Sequence, residues 1–299
     1  MKNKLSKFLQ PMDFSSAIEK EIGAIDFGEI TASSRRKSKL FLRNFDERDL
    51  EEIMRRVGLL AHLAAIGLGD VRIAIDMDDA YIHYLKVYHR DIDPDFLLLD
   101  LRLSESRFVP DAKFFDDGEF HTYDMIVIEW LSAQNPYAQF DPRRGQLPGQ
   151  KKPGLGVLKY CFEMMYIVAR EIIKDGFLDI PDHVHGAIMY AKKFKFFDPM
   201  REGMLRALMR DCARYSLVDI SWGIATGTII DISSNQPLVY TPSEQIFYVS
   251  EKLRAYFHSK NYLSSYNRHF RKNRFRFDYE EMNKRRAEII ARRGGEELQ

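Results

Sequence analysis

Cysteine is scarce in this chain, with two among 299 residues, Cys161 and Cys212. Two distant thiols cannot build a disulfide framework or a cysteine-based zinc site. Each falls in an apolar helical pattern, where a free cysteine is expected as a small buried residue. Also missing is any apolar run approaching the ~18 residues of a membrane span. The N-terminal MKNKLSKFLQPMDFSSAIEKEIG carries basic residues without the uninterrupted apolar stretch of a secretory signal. Charge of one sign does not dominate: 45 basic and 44 acidic side chains leave a net +1, which excludes a chain acting as a whole as a polyanion binder or an acidic solvating segment. There is no internal repeat, no low-complexity segment beyond a polar stretch at Ser33–Lys39, and no Gly-x-Ser-x-Gly elbow, P-loop, His-Glu-x-x-His or Gly-x-Gly-x-x-Gly motif. Those absences remove several enzyme classes and point to a globular protein of the reducing cytoplasm.

What is present suits one or two folded domains, since 45% hydrophobic and 13% aromatic content can bury a sizeable core. Lys39–Phe45 reads as a short strand. Asp46 then caps one helix whose apolar residues run from Leu50 to Ala64 at three- and four-residue steps, ending near Gly67 and Gly69. Period-two alternation predicts strands at Val71–Asp78, Tyr81–His89 and Phe96–Ser104, the first two as a hairpin. Tyr123–Gln134 is apolar on both faces, as in a central strand covered on each side.

The most informative junction follows. A Pro/Gly/Lys loop at Leu147–Gly156 (LPGQKKPGLG) runs into an apolar helix pattern from about Val157 to Lys174, with Gly176 as its stop. Unsatisfied N–H groups at a helix start and glycines that admit close approach suit a bulky anion. Beyond it, the pattern predicts a strand at Phe177–Ile180, a helix beginning near Pro181–His185, and a helix at Glu202–Tyr215. Strands are expected around Ile220–Asp231 and Pro237–Tyr240, with a helix after the capping box Thr241-Pro242-Ser243-Glu244. The whole predicts an α/β (α+β) fold around one mixed sheet, in three parts: an extension over 1–38, a core over 39–200, and a C-terminal region over 201–299 of helix and short strands with a basic terminal helix.

This order of elements, together with Lys151-Lys152-Pro153-Gly154-Leu155-Gly156, resembles the GNAT superfamily of acyl-coenzyme A N-acyltransferases over roughly Lys39–Asp198. In that family an R/Q-x-x-G-x-G/A motif holds the coenzyme pyrophosphate on backbone amides. The resemblance therefore implies that Lys151, Lys152, Gly154, Leu155 and Gly156 bind acetyl-CoA or another acyl-CoA, with lysine in place of the usual Arg or Gln. It also implies a mostly antiparallel central sheet, Glu129 as the base that deprotonates an amine acceptor, and Tyr190 as the acid that protonates the leaving thiolate. The family's Gly-Phe after that tyrosine is replaced by Phe194-Lys195-Phe196, and its preceding asparagine is missing.

Each residue has a plainer reading beside this one. The loop also reads as a surface turn, Glu129 as a solvent-facing or arginine-paired end residue, and Tyr190 as a packing residue. His183 and His185, beside Asp182, read as a polar helix start and not a metal site. Arg268–Arg293 interleaves arginines with Phe270, Phe275, Phe277 and Tyr279, a pattern suited to nucleic acid and equally to a solvated helix packed on its own domain. The expected function is N-acyl transfer from acyl-CoA, with residues 222–240 closing over the acceptor. The alternative is a non-catalytic acyltransferase-like protein that binds nucleic acid or a protein through its basic C-terminus.

Overall fold

The computed structural model describes residues 40–115, 118, 120–141 and 145–293; the extension over 1–38 and the Ser33–Lys39 stretch lie outside them. In chain order the helices are α1 (Glu47–Arg56), α2 (Leu59–Ala65), α3 (Leu158–Glu171), α4 (Val184–Tyr190), α5 (Pro199–Asp211), α6 (Leu217–Ala225), α7 (Glu251–Phe257), α8 (Lys260–Lys272) and α9 (Tyr279–Arg293). The strands are β1 (Val71–Asp76), β2 (Ile82–His89), β3 (Leu97–Phe108), β4 (Tyr123–Ala133), β5 (Gly176–Asp179), β6 (Lys195–Phe196), β7 (Ile229–Asp231), β8 (Gln236–Pro237), β9 (Gln245–Tyr248) and β10 (Phe275–Phe277).

Seven strands form a mixed, mostly antiparallel sheet in the order β1-β2-β3-β4-β5-β9-β6, and β10-β7-β8 form a small second sheet. The α+β class and the mixed sheet are therefore as expected. The β1–β4 meander follows from alternation: Leu85, Leu99, Leu101 and Leu103 bury on one face against α1 and α3. The parallel pair is β4 with β5, joined through α3 and held only from Met125↔Gly176 to Val127↔Leu178.

Several boundaries differ from expectation. Within the strand expected at Lys39–Phe45, the described residues 40–45 form none: Phe41 bridges to Phe45 around a tight turn with Leu42 and Arg43 at positive φ, and the Leu42 N–H donates to His83 Nδ1 at 2.9 Å. The single helix expected after Asp46 is two, because Gly58 at φ +81° breaks the ladder. The Asp46 cap itself forms, with Asp49 reciprocating. Helix α3 stops at Ile172, with Ile173 at φ +55°, before Gly176. That glycine instead opens β5, where an added Cβ would meet the Phe247 carbonyl oxygen at 2.3 Å.

The C-terminal region departs further. The strand expected at Ile220–Asp231 is mostly α6, started by a reciprocal Ser216–Asp219 box, with β7 limited to three residues. No helix follows the Thr241–Glu244 box. The Glu244 carbonyl accepts from the Phe197 N–H at 2.9 Å, and the next four residues become β9, which inserts between β5 and β6. The following helix starts nine residues later than expected, at Glu251, capped by Ser250 in place of Thr241. The main sheet thus draws on residues from both sides of position 200. The basic segment is also not one helix: α8, the short β10 and α9 divide it.

Three apolar cores result. One lies between the β1–β5 sheet and α1, α2 and α3. The opposite face of β4, β5 and β9 is covered by α7 and the start of α8, so β4 is covered on both sides along its first half. The third joins α4, α5 and α6 to the small sheet. Cys161 and Cys212 are both buried, and burial pushes each thiol up to about 12.

Candidate functional site

The pairing of β4 with β5 ends at Val127↔Leu178, while β4 continues six residues further. Along β4, Tyr123, Met125 and Val127 face one core and Ile126 and Ile128 the other. Leu131 and Ala133 return to the same core as Ile128. Glu129 and Trp130 must then both point to the opposite face, and the β3–β4 register shows why: Leu103 pairs with Ile128 and Arg102 with Trp130, leaving Glu129 as the extra residue of a bulge. The bulge lies where β4 leaves β5. Beyond Val127 this edge of β4 has no strand partner, because β5 itself ends at Asp179.

Glu129 is exposed and accepts a hydrogen bond from Ser104 Oγ at 2.5 Å. Among the described residues it has no arginine partner, so the solvent-facing reading holds in part and the arginine pairing does not. Trp130 is 49% exposed, with the Arg102 guanidinium 5.7 Å from its ring.

Tyr190 ends α4 and is 7% exposed, edge-on to Phe162 at 5.5 Å and tilted on Phe194 at 5.0 Å. Burial first, and the nearby Asp179 second, push its hydroxyl well above the ordinary tyrosine range. Phe194, standing where the family's glycine would be, fills the core between Phe162 and Phe247.

The Gly/Lys loop lies on the far end of β4. Gln134 bridges to Gly154, and the Asn135 N–H donates to the Pro153 carbonyl at 2.8 Å. His62 Nε2 meets the Leu155 carbonyl oxygen at 3.0 Å, and Gln150 returns to the Leu147 N–H. Leu155 is buried, whereas Lys151, Lys152, Gly154 and Gly156 are exposed. The two glycines differ in kind. Gly156 needs its φ of +72°, while a Cβ on Gly154 would only reach ordinary contact with the Ala133 carbonyl oxygen at 3.6 Å. Helix α3 begins directly behind, with no side-chain cap and no acidic residue in its first turn.

The C-terminal region is bonded to the segment leading into the Gly/Lys loop and to the segment that follows β5. Trp222 is fully buried and donates its Nε1–H to the Gln146 carbonyl at 2.9 Å, with Arg286 above its ring. On the β5 side, Tyr240 donates its hydroxyl to the Pro181 carbonyl at 2.8 Å.

Periodicity alone did not single out Asp179, the last residue of β5. It is half-buried, and burial together with Asp182 raises its carboxyl to about 7. An Asp two residues before a Pro reads as a strand end in the sequence; only the β5–β9 register shows its surroundings. Nearby His183 and His185 stack at 5.1 Å, and burial lowers His185 to about 4. Among the described residues no group of three or more potential metal ligands gathers, and no helix is long and apolar enough to cross a membrane.

No protein-family model and no curated protein matches the chain.

Proposed function

We propose that the protein is an acyl-CoA-dependent N-acyltransferase of GNAT-like design. The observation that carries this is the β4–β5 pair, whose parallel pairing stops after three residues beside a bulge in β4, where the unpaired edge would form one wall of a cleft, with the Gly/Lys loop and an uncapped helix start at the far end of β4. An unpaired strand edge leaves backbone N–H and C=O groups that an extended pantetheine arm would satisfy. The α3 N-terminus offers free amides and a positive dipole end to a pyrophosphate, and Lys151, Lys152 and Lys159 add charge around it. Gly154, which the fold itself does not require, suits a position where a phosphate approaches the backbone.

Glu129 faces the open side of the cleft, where it would accept a proton from an acceptor amine directly or through water. The acceptor would lie under residues 222–240, which are tied to Gln146 and Pro181.

Calorimetric titration with acetyl-CoA tests the reading. Saturating ligand at 100 times Kd should stabilise the fold by about 2.7 kcal/mol. Gly154→Val should abolish the heat while shifting the melting temperature of the free protein little. Absence of heat and of thermal stabilisation at millimolar acetyl-CoA sinks the proposal.

Nucleic-acid binding through the C-terminus is the weaker reading, because the aromatic rings it would use are engaged internally. Phe275 is buried, Phe270 lies under Arg210 at 4.7 Å, and Phe277 and Tyr279 pack on Tyr215.

A further inference from the structure

We propose that the carboxyl of Asp179, set across from Gln245 at the end of β5, is the group that gives a proton to the departing thiolate, in place of Tyr190. This rests on the acyl-CoA reading above and adds a residue that neither motif nor resemblance supplied.

Position comes first. Asp179 is the residue immediately beyond the last parallel pair, Val127↔Leu178, at the end of β5. Phe177 faces the core under α3 and Leu178 the opposite core, so Asp179 points to the same face as Phe177 and Tyr190. Glu129 points to the other face. Two carboxyls therefore flank the end of the β4–β5 pairing from opposite sides, one exposed and one half-buried. An acyl transfer that removes a proton from nitrogen and delivers one to sulfur needs such a pair.

A second observation concerns the proton itself. Gln245 lies directly across from Asp179 in the β5–β9 register, with its side chain on the same face. It is fully buried, its Nε2 donates to the Ala187 carbonyl at 3.2 Å, and its Oε1 has no partner. Because the Ala187 contact fixes which end of the amide is the donor, Oε1 is an orphan acceptor, costly when buried unless a donor reaches it. A protonated Asp179, opposite it in the register, has an O–H to supply. The groups around it agree: Asp182 and Tyr240 bring no positive charge, His185 stays neutral, and Arg201 is turned to the Thr241 carbonyl.

The energetics favour Asp179 over Tyr190. An ordinary thiol titrates at about 8.5, so a carboxyl raised to about 7 passes its proton to a thiolate downhill. Tyr190, pushed well above its ordinary value, would do so uphill. In the step, the amine nitrogen bonds to the thioester carbonyl carbon and the C–S bond breaks with its electron pair on sulfur. Sulfur takes the Asp179 proton, the nitrogen's proton passes to Glu129 or water, and solvent reprotonates Asp179 as products leave.

The test is carboxyl titration by NMR on protein labelled with 13C at aspartate side chains, with Asp179→Asn assigning the signal. Measurements are made free, with CoA, and with desulfo-CoA, after calorimetry has established whether CoA binds. The expected result is a midpoint near neutrality in the free protein that falls in Gln245→Leu, where the acid form loses its acceptor. CoA, whose neutral S–H can donate to the ionised carboxyl, should lower it, and desulfo-CoA, which lacks that donor, should not. A midpoint below about 5, close to an ordinary carboxyl, or one indifferent to the sulfur while CoA binds, overturns the assignment and leaves the acyl-CoA reading standing. Absence of CoA binding overturns both.

Discussion

At the scale of single residues, the informative positions are those whose environment contradicts their chemistry. Asp179 and His185 are neighbours shifted in opposite senses, to about 7 and about 4, and linkage turns this into a pH prediction. For Asp179 the folded value lies above the unfolded one, so stability is lost as pH rises from about 4 to about 7. For His185 the folded value lies below the unfolded one, near 6.5, so stability is lost as pH falls from 6.5 to about 4. The two contributions offset each other across that window. Asp179→Asn should make urea midpoints fall on acidification from pH 6.5 to 4.5, and His185→Asn should make them rise. Parallel profiles for both variants and the wild type would refute the shifts. Glu129 shows the opposite case, an acid within the most apolar run that the bulge turns outward. The sequence left open whether it is a base or a solvent-facing residue; one extra residue in β4 turns it to the exposed face.

At the scale of elements, glycines and strand order decide more than helix propensity does. Gly176 admits β9 against β5, and Gly176→Ala would drive a Cβ into the Phe247 carbonyl. Overpacking of this kind costs about 1–3 kcal/mol, and more is expected here because backbone must move. Denaturant unfolding should show the loss, together with faster amide exchange in Gln245–Tyr248. The capping box at Thr241–Glu244 carries a sound helix-start signal that loses to this pairing, because four residues burying Ile246 and Phe247 in the sheet outweigh one cap of about 1 kcal/mol. By contrast α1, α3 and the β1–β3 strands are legible from periodicity, since each buries one face against a core formed largely from neighbouring sequence. The basic C-terminal run misreads as a single helix because its Phe275–Phe277 segment pairs with β7, some forty-five residues earlier in the chain.

At the scale of the whole molecule, the C-terminal region is a structural part of the candidate site. Trp222 ties the third core to the loop that leads to Lys151, through Gln146 and under Arg286. Trp222→Ala should cost about 3–5 kcal/mol from the emptied site, and hydrogen exchange at 145–156 should quicken with it. Loss of stability without faster exchange in that loop would show that the tie does not order it. The amino-acid sequence by itself determined the fold class, the helix and strand periods around α1 to α3, and the anion-suited loop with its three glycines, because these depend on side-chain spacing and local backbone freedom. Tertiary structure alone decided that Glu129 is a bulge residue, that β9 inserts between β5 and β6, and that Asp179 lies across from Gln245 at the end of β5. Those facts depend on register between strands up to seventy residues apart, and register is set by packing that no local pattern encodes.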